Sequence, residues 1–481
     1  MTRPADPVAR AASEVIGGPR GRYAVSRELP WVLTAALLSA LTAVTAGFGI
    51  LLRIPCLRTG FAGIDQFWNA CYADLPTTYR DANVKAGLAA YLQGGADAPE
   101  TGQPPLTGLA LTAVASLVPD GSLNSRAAWF FALWSVLLTL LLLVIVWLVA
   151  SSAHPPISAA HVALSPVVAL TAFISADLLG VALATAGLWA WSRRSPTLAG
   201  VLLGLAISAR SYPVLLLVAI GLLCLRSGRL REFVRTAAYA VLTFGVVLSA
   251  VWLVNPTAAA SAYTNWVSAP AGYGSPWLLP QLAGNALPEG AVTALAVAGW
   301  FVALLAGAVL ALSSARRPTV AEVSLVMVAI VLVTGKSFTV QSSLWLVPLV
   351  AWCAVQWRDH LIWAGAEALN FVAVWLTIAA TTVPDRGMPA AWYSFFSMLR
   401  VVAVLWLAAV VWLRARERWD RPVAAGVADG VDAGVVSGVD DTVAEDAADT
   451  VAPGAGDRVP EVDDLAGPMA GAPDRVLVRF S

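Results

Sequence analysis

Long apolar runs recur along almost the whole chain, and no other sequence feature constrains its fold as strongly. The hydrocarbon core of a bilayer is about 30 Å thick, so a helix needs about 20 mostly apolar residues to cross it. Because no water reaches that core, only a structure that satisfies its own backbone, such as a helix, is stable there. We therefore predict an all-α, polytopic integral membrane protein with about twelve transmembrane helices. The apolar segments are residues 31–52, 127–150, 158–174, 178–192, 197–211, 213–226, 233–254, 291–312, 319–335, 342–357, 361–381 and 391–413.

The composition agrees with a membrane protein and excludes several other classes. Hydrophobic residues make up 58% of the chain and charged residues 12%, whereas an ordinary soluble domain is about 25% charged. The first apolar run lacks a small-residue cleavage site, so we expect a span and not a signal peptide. The sequence has no Walker motif or glycine-rich phosphate loop, and its three histidines show no metal-ligand spacing. We expect no metal, no other cofactor and no nucleic-acid partner.

Charge is distributed unevenly between the membrane part and the C-terminal end. Residues 423–481 contain 12 acidic and 3 basic residues, in a low-complexity sequence rich in Ala, Val, Gly and Asp. Such a segment buries too little apolar surface to offset the conformational entropy lost on folding. The sequence thus divides into a basic N-terminus (1–30), a membrane domain (31–415) and an acidic tail (416–481) that we predict to be disordered.

Basic residues orient the predicted spans. Positively charged loops stay on the cytoplasmic side of a membrane, and the N-terminus carries five Arg before residue 31. If the spans alternate from a cytoplasmic N-terminus, both termini lie on the cytoplasmic side of a plasma membrane. Two polar loops, at 53–126 and 255–290, then lie outside the cell. The first is large enough to contain short surface helices, and the second contains no Lys or Arg. Basic clusters assigned to the cytoplasm include Arg193, Arg194, Arg226, Arg229, Arg231, Arg235, Arg316, Arg317, Arg414, Arg416, Arg418 and Arg421.

Unusual polar residues fall at one level of this topology, at the outer ends of the spans. They are Asp74 in the first outer loop, and Asp177, Arg210, Lys336 and Gln341 further along the chain. An ionisable side chain at membrane depth is costly, so each is a candidate functional residue. We predict that the five lie together in a polar pocket that opens away from the cytoplasm.

Each of these residues also has a structural interpretation, and the sequence leaves both open. Arg210 and Lys336 can extend their charges toward the interface while their alkyl chains stay in lipid. Asp177 can cap the helix that follows it, and Asp74 can be a loop residue before a turn at Leu75 and Pro76. Tryptophans near the outer face are typical of interfacial aromatic belts, although they can also stack on sugars.

A carboxylate beside cations at a lipid boundary suits the transfer of a group from a lipid phosphate. The carboxylate can remove a proton from an acceptor hydroxyl, and the cations can stabilise the departing phosphate. The polar residues therefore predict a class of reaction, although they do not identify its substrates.

The motifs around these residues follow an order that is found in one group of membrane enzymes. In the first loop, "CYADLPTTY", "GLAAYL" and "QPPLTG" contain Asp74, Tyr79, Gly87 with Tyr91, and residues 104–106. This order resembles glycosyltransferase family 87, whose members have the GT-C superfold, and the resemblance extends over about residues 30–415. Further segments that resemble the family are "SPVVALTAFISADLLGVAL" (165–183), "SARSYPVLLL" (208–217), "NPTAAASAYTNWVSAPAGYGSPW" (255–277) and "GKSFTVQSSLWLVPL" (335–349).

The resemblance implies a mannosyltransferase without a metal requirement, whose partners are membrane lipids and lipid-linked substrates. The donor would be polyprenyl-phosphate mannose, and the acceptor a lipid-linked or cell-envelope glycan outside the membrane. Asp74 would be the catalytic base that activates an acceptor hydroxyl for in-line attack on the anomeric carbon, with inversion. Arg210 and Lys336 would be the main contacts of the lipid phosphate. The full set of residues expected to bind substrate is Arg210, Lys336, Gln341, Asp177 and Tyr79.

The sequence departs from the family pattern at several positions, which leaves other interpretations open. Gln103 stands before the prolines where an acidic or aromatic residue is usual, and Arg210 replaces a common Lys. Asp65 and Asp81 are alternative candidates for the base. The alternative functions are a transporter or flippase of a lipid-linked precursor, and a catalytically inactive relative.

Two of the four cysteines, Cys56 and Cys71, fall in the first outer loop. Outside the cytoplasm the environment is oxidising, so the two thiols can form a disulfide there. Such a bond would fix the chain just before Asp74. The alternative is two free thiols, and the sequence does not decide between them.

Overall fold

The computed structural model describes residues 7–17, 29–95, 98–383, 387–417 and 463–478, and these residues form an all-helical structure without β-strands. Six of the described helices are long and apolar enough to cross a membrane, and each coincides with a predicted span. The other predicted spans correspond to shorter helices, so the count of twelve stays a prediction. The six long helices are Trp31–Leu51, Leu123–Ser152, Leu230–Val254, Glu289–Ser313, Trp357–Thr382 and Ala390–Glu417.

The α-helices are numbered in chain order. The first eleven are α1 Pro7–Gly17, α2 Trp31–Leu51, α3 Ile54–Leu57, α4 Asp65–Trp68, α5 Asp74–Asp81, α6 Gly87–Gln93, α7 Pro105–Ala115, α8 Leu123–Ser152, α9 Ala160–Ala163, α10 Pro166–Thr171 and α11 Asp177–Ser192. The others are α12 Pro196–Ala209, α13 Pro213–Ser227, α14 Leu230–Val254, α15 Pro256–Ser268, α16 Leu279–Leu282, α17 Glu289–Ser313, α18 Val320–Thr334, α19 Val347–Trp352, α20 Trp357–Thr382 and α21 Ala390–Glu417. Short 3₁₀ helices occur at Val84–Ala86, Pro156–Ala159, Pro276–Leu278, Val340–Trp345 and Gly467–Met469.

Local sequence signals set the ends of several of these helices. Pro196 and Pro213 begin α12 and α13, because proline fixes φ near −65° and lacks the N–H that a first turn leaves unpaired. Before α18, the Thr319 side chain accepts from Glu322 N at 3.2 Å, and the Glu322 carboxylate accepts from Thr319 N at 2.8 Å. This capping box satisfies two N–H groups that the helix start would otherwise leave without partners. α13 ends at Gly228, whose φ of 69° is favourable for glycine.

Burial distinguishes a central helix from a peripheral one. Almost all of α18 is buried, and Val323 and Leu325 are 0% exposed. In contrast, α14 exposes Val241 (69%), Val246 (60%) and Leu253 (82%). A continuous face of exposed aliphatic side chains is unfavourable in water and favourable in hydrocarbon. The outward face of α14 is therefore suited to contact with lipid.

Polar residues collect at the two ends of the helix bundle, and helix α11 runs from one of these ends to the other. A helix of 16 residues is about 24 Å long. One end, called here the Asp74 end, brings together the starts of α5 and α11, the end of α12 and the 3₁₀ helix Val340–Trp345. The other, called the Asp474 end, brings together the ends of α13 and α17 and residues 463–478.

Residues 463–478 fold against the Asp474 end, so the prediction of a disordered tail is wrong for this part of it. Leu465 and Met469 are 1% and 0% exposed. Asp474 accepts hydrogen bonds from Arg226 Nη2 at 2.7 Å and Arg317 Nε at 2.8 Å. The prediction fails because it averages composition over the whole tail, whereas its last part contains apolar side chains and an acid that two arginines bind. The remaining calls on the termini fall on residues 1–6, 18–28, 418–462 and 479–481, which lie outside the described residues.

Backbone contacts fix this C-terminal segment across several helix ends. Arg475 N donates to Arg226 O at 2.7 Å, and Val478 N donates to a carbonyl of α17 at 3.0 Å. The Asp464 carboxylate binds both the backbone N–H of His154 (2.8 Å) and its ring Nδ1 (2.7 Å), just after α8. The segment therefore connects the ends of α8, α13 and α17.

The chain between α2 and α8 forms five short helices, α3 to α7, in place of an extended loop. Cys56 and Cys71 form a disulfide there, with a sequence separation of 15. Closing a loop of this length stabilises a fold by about 3 kcal/mol in the chain-entropy model. The bond fixes the chain immediately before Asp74, and the extracytoplasmic location of the region stays a prediction.

Candidate functional site

Asp74 is the first residue of α5, and its carboxylate faces the other polar groups of its end of the bundle. Ala73 before it is extended (φ −142°, ψ 135°), and Leu75 N after it donates to Ile174 O at 3.2 Å. These contacts fix the position of the helix start. The half-buried carboxylate accepts from Gln341 Nε2 at 2.9 Å and from the Tyr72 hydroxyl.

A second carboxylate, Asp177, begins α11 and is almost completely buried (3% exposed). It accepts from Ser175 Oγ at 2.8 Å and from Trp345 Nε1 at 2.9 Å. Arg210 donates to it through Nε at 3.0 Å and also through Nη2. Asp177 is therefore an ion-paired carboxylate with a full set of hydrogen-bond donors.

Arg210 follows the last turn of α12, in an extended conformation (φ −151°, ψ 150°) that directs it toward α11. It lies against Gly180, where a Cβ atom would come within 2.9 Å of the Arg210 side chain. Its Nη1 donates to Gln103 Oε1 at 2.5 Å. The departure from the family pattern at Gln103 thus has a structural role, because this amide helps to orient the arginine.

The 3₁₀ helix Val340–Trp345 supplies one hydrogen-bond donor to each of the two carboxylates. Gln341, near its start, binds Asp74, and Trp345, its last residue, binds Asp177. The Tyr212 ring stacks on Trp345 with 4.6 Å between centroids. The residues joined by these hydrogen bonds, called here the Asp74 cluster, are Asp74, Asp177, Arg210, Gln103, Gln341 and Trp345.

The surroundings of Asp74 favour proton exchange near neutral pH. Burial raises the pKa of Asp74 to about 6, and the charge of Asp177 acts in the same direction. Hydrogen bonds from Tyr72 and Gln341 and the cation of Arg210 oppose this rise, because they favour the ionised form. A carboxylate with such a pKa suits general base catalysis.

Lys336 lies outside the Asp74 cluster, in contrast to the prediction. Its Nζ donates to the carbonyl oxygens of Trp266 (2.7 Å), Val267 (2.9 Å) and Ala269 (2.9 Å). These carbonyls are at the C-terminal end of α15, so the lysine caps that helix. Since an ammonium group has three donors, Lys336 in this conformation has none left for a phosphate.

Tyr79 and the two alternative bases also lie away from the cluster. The Tyr79 ring packs on Phe130 of α8 with 4.7 Å between centroids, and the Arg126 guanidinium lies 5.9 Å from its centre. Asp65 and Asp81 are exposed at the start of α4 and the end of α5. The structure thus brings together Asp74, Asp177, Arg210 and Gln341 from the predicted set, and places Lys336 and Tyr79 elsewhere.

Comparison with known proteins identifies the family. Residues 103–335 match the model of glycosyltransferase family 87. This part of the chain, just under half of it, is similar to that family. The family indicates a membrane glycosyltransferase, in agreement with the apolar helices described above. A search among curated proteins gave no significant match.

The family 87 match covers part of the Asp74 cluster. Asp177 and Arg210 lie inside the matched residues 103–335, whereas Asp74 and Gln341 lie outside them. The structure therefore adds the contacts that connect Asp74 and Gln341 to the matched part.

Two further residues near the Asp74 cluster were missed by the sequence analysis. Glu367 of α20 and Arg400 of α21 are 1% and 0% exposed and form an ion pair, with Nε–Oε2 at 2.7 Å. The pair contacts residues 338–343, beside the Asp74 cluster. The signal was present, since both charges fall inside predicted spans, where an ionisable residue is a functional candidate by default.

In the part of the chain that the structure describes, no group of three or more His, Cys, Asp or Glu side chains is arranged to hold a metal ion. The absence of a metal requirement nevertheless stays a prediction, because it concerns the reaction.

Proposed function

We propose that this protein transfers a sugar from a polyprenyl-phosphate donor to a lipid-linked or cell-envelope glycan, with inversion at the anomeric carbon. Mannose is the first candidate for the sugar, from the family resemblance. The single observation that carries the proposal is the half-buried Asp74, whose pKa is raised to about 6 beside the ion-paired Asp177 and Arg210.

Asp74 acts as the general base in the proposed reaction. The acceptor hydroxyl gives its proton to the Asp74 carboxylate while its oxygen attacks the anomeric carbon of the donor sugar. The bond between that carbon and the phosphate oxygen breaks, and the electron pair leaves with the polyprenyl phosphate. The protonated carboxyl then returns its proton to water, so the enzyme regains its starting state.

Arg210 is the proposed contact of the lipid phosphate. Three of its five N–H groups are used by Asp177 and Gln103, which leaves two for a ligand. Its side chain is 15% exposed, so the guanidinium remains accessible at one edge. Lys336, with its three donors used by carbonyls, is not included in the proposed phosphate site.

The proposed reaction takes place outside the cytoplasm. Arg226 and Arg317 lie at the Asp474 end, and basic residues favour the cytoplasmic side. That orientation places both termini in the cytoplasm and the Asp74 cluster at the outer face of about twelve spans. The position of the cluster at one end of the helices also differs from transporter sites, which typically lie near the bilayer midplane.

The first prediction concerns removal of the base. The protein, its Asp74→Asn variant and its Asp81→Asn variant are purified in lipid nanodiscs with polyprenyl-phosphate mannose and a membrane lipid extract. We expect Asp74→Asn to lower the rate of labelled product formation by ~10²–10⁴. Asp81 is a matched control, because it lies on the same short helix but is exposed; its variant should retain activity.

The pH dependence of the same assay is a second readout of Asp74. The base must be ionised, so the rate should fall about tenfold for each pH unit below the pKa of Asp74, which is about 6. Equal product from wild type and Asp74→Asn would remove Asp74 from the role of base, and loss in Asp81→Asn alone would transfer that role to Asp81.

A further inference from the structure

The ion pair of Glu367 and Arg400 lies in the interior of the molecule, between α20 and α21. Both side chains are almost completely buried, and Arg400 Nε is 2.7 Å from Glu367 Oε2. Removing two charges from water costs more than most buried pairs recover, and apolar residues of similar size often pack such helices as well or better. The stability of the α20–α21 contact alone therefore does not account for the pair.

The other hydrogen bonds of the pair go to one short segment, residues 338–343, except one that Glu367 Oε1 accepts from Trp363 Nε1 of the same helix at 3.0 Å. Arg400 donates to the Phe338 carbonyl through Nη1, and through Nη2 to Thr339 O at 2.9 Å and Ser343 Oγ at 2.8 Å. Ser343 Oγ in turn donates to Glu367 Oε1 at 2.6 Å. The two charges thus hold both the start and the end of this segment.

A glycine turn holds the same segment from the other side. Phe338 N donates to Tyr273 O at 3.1 Å. A Cβ atom at Gly274 would lie 1.9 Å from Phe338 O and 3.0 Å from Arg400 Nη1, so only glycine permits this approach. Gly274 N donates to the Tyr393 hydroxyl of α21 at 2.7 Å. Residues 338–343 are therefore enclosed between the ion pair and this turn.

The enclosed segment contains Gln341 and leads directly to Trp345, the two side chains that bind the carboxylates of the Asp74 cluster. The segment overlaps the start of the 3₁₀ helix Val340–Trp345. In this helix, Gln341 donates a hydrogen bond to Asp74 and Trp345 donates one to Asp177. Hydrogen bonds within a 3₁₀ helix have poorer geometry than those of an α-helix. External contacts must therefore determine where Gln341 and Trp345 point.

We propose that Glu367 and Arg400 are positioning residues for the Asp74 cluster, which fix residues 338–343 so that Gln341 is held against Asp74 and Trp345 against Asp177. The inference deepens the proposed function and rests on it for the role of Asp74 as base. Its structural part, the control of the segment by the pair, does not depend on which substrate is used.

A loosened segment should change the ionisation of Asp74 in a defined direction. The groups that face Asp74 are Tyr72 beside it, Gln341, Asp177 of α11 and Arg210 after α12. The hydrogen bond from Gln341 favours the ionised carboxylate, so its loss raises the pKa of Asp74. A rise of about half a pH unit is the amount expected for one weakened hydrogen bond to the charged form.

The test compares two charge pairs on the same two helices. Arg400→Lys keeps the charge but removes the fork that reaches Phe338, Thr339 and Ser343 together. The matched control is Asp359→Asn, because Asp359 of α20 is buried and pairs with Arg414 of α21 (3.2 Å), away from residues 338–343. Hydrogen–deuterium exchange of the 338–345 peptide should accelerate about tenfold in Arg400→Lys and remain unchanged in Asp359→Asn.

The pKa of Asp74 is read without any substrate. Infrared titration of protein labelled with [¹³C]aspartate, after subtraction of the Asp74→Asn spectrum, isolates the Asp74 carboxylate. We expect its pKa to rise in Arg400→Lys and in Gln341→Leu, and the double variant to equal Gln341→Leu. If Arg400→Lys does not fold, Ser343→Ala takes its place in both measurements, because it removes the two hydrogen bonds that Ser343 Oγ forms with Arg400 and Glu367.

Either of two results would overturn the positioning role. One is an unchanged exchange rate and an unchanged Asp74 pKa in Arg400→Lys or Ser343→Ala. The other is equal acceleration in Asp359→Asn, which would make both pairs simple packing contacts. Failure of the wild type to form product with any polyprenyl-phosphate sugar would overturn the proposed function instead, while exchange and titration would still decide the role of the pair.

Discussion

Asp74 and Asp474 lie at opposite ends of the helix bundle and differ in the groups that balance their charge. Asp74 receives hydrogen bonds from the neutral side chains of Gln341 and Tyr72, and burial raises its pKa to about 6. Burial also acts to raise the pKa of Asp474, but Arg226 and Arg317 outweigh it and hold that pKa below its usual range. A carboxylate that lacks a strong cationic partner can take up a proton near neutral pH, whereas a doubly paired one stays ionised and fixes the chain.

The Asp74 end also contains the second kind of carboxylate. Asp177 is buried and, like Asp474, is bound by arginine, so it serves to orient groups around the first carboxylate. Two acids in one cluster thus have environments that separate their functions, a pattern that is typical of sites with proton transfer. The comparison predicts that replacement of Asp74 causes little loss of stability, whereas replacement of Asp177 or Asp474, which arginines bind, lowers stability.

The largest expected effect comes from breaking the pair inside the Asp74 cluster. Asp177→Asn leaves the Arg210 charge without its partner, which typically costs about 3–5 kcal/mol for a buried pair. Asp74→Asn, in contrast, removes a half-buried charge that no salt bridge compensates, so the melting temperature should stay constant or rise. Thermal unfolding of both variants in one detergent measures the difference.

Both variants change one oxygen to an amide nitrogen, so each serves as the size-matched control of the other. A fall in melting temperature for Asp74→Asn as large as that for Asp177→Asn would show that the two carboxylates have the same structural role. The contrast between a paired and an unpaired acid would then be wrong.

The helical architecture follows from the apolar runs, because a helix is the simplest structure that satisfies its own backbone in lipid. The topology also placed Asp74, Asp177, Arg210 and Gln341 at one level, and the structure brings these four residues together. Their partners were not predictable, since pairing depends on side-chain directions that a count of spans does not contain. Gln103 and Trp345 entered the site only through the structure.

Two differences from the sequence analysis have specific physical causes. Lys336 caps α15 because residues 266–269 turn three carbonyls toward it, and no pattern in that loop indicates such a turn. Glu367 and Arg400 were missed although their charges interrupt apolar spans. The reason is that the predicted site contained only polar residues at the outer ends of the spans, whereas these two lie in the interiors. Ionisable residues inside every span should therefore be considered together with those at the ends.

The next effect in size concerns the C-terminal segment at the Asp474 end. Gly467 has φ 49°, and a Cβ atom there would lie 2.2 Å from Trp191 O. Gly467→Ala therefore forces the segment away from α11, and we expect hydrogen exchange of residues 463–478 to accelerate by ~10-fold or more. Activity should persist, because the Asp74 cluster is about 24 Å away along α11.

Gly471 supplies the matched control for this prediction. It also has a positive φ (70°), but nothing lies within 4 Å of a Cβ atom at that position. Gly471→Ala carries the same backbone strain without the clash, so its exchange should accelerate less. Equal exchange in both variants would show that backbone strain, and not contact with α11, sets how tightly the segment binds.

The smallest expected effect is a pH dependence of the contact between residues 463–478 and the Asp474 end of the bundle. Burial raises the pKa of Asp463 to about 7, with smaller contributions from the charges of Glu322 and Asp464. In a free segment the pKa of an Asp is about 3.9, so the bound segment holds a proton that the free one releases. Binding is therefore strongest below about pH 4 and weakens as the pH rises through 7, above which it stays constant. We expect a smaller effect than the full pKa shift would give, because the Asp463 side chain is partly exposed and water weakens the influence of its surroundings.

Exchange of residues 463–478 between pH 5 and 8, divided at each pH by the exchange of the free peptide, measures this dependence. The ratio should rise with pH in the wild type, since the bound state loses the advantage of protonated Asp463. It should be flat in Asp463→Asn, whose amide stays neutral throughout. Asp474 does not contribute in this range, because its lowered pKa keeps it ionised from pH 5 to 8. A ratio that falls with pH, or one that still rises in Asp463→Asn, would assign the dependence to a different group at the Asp474 end.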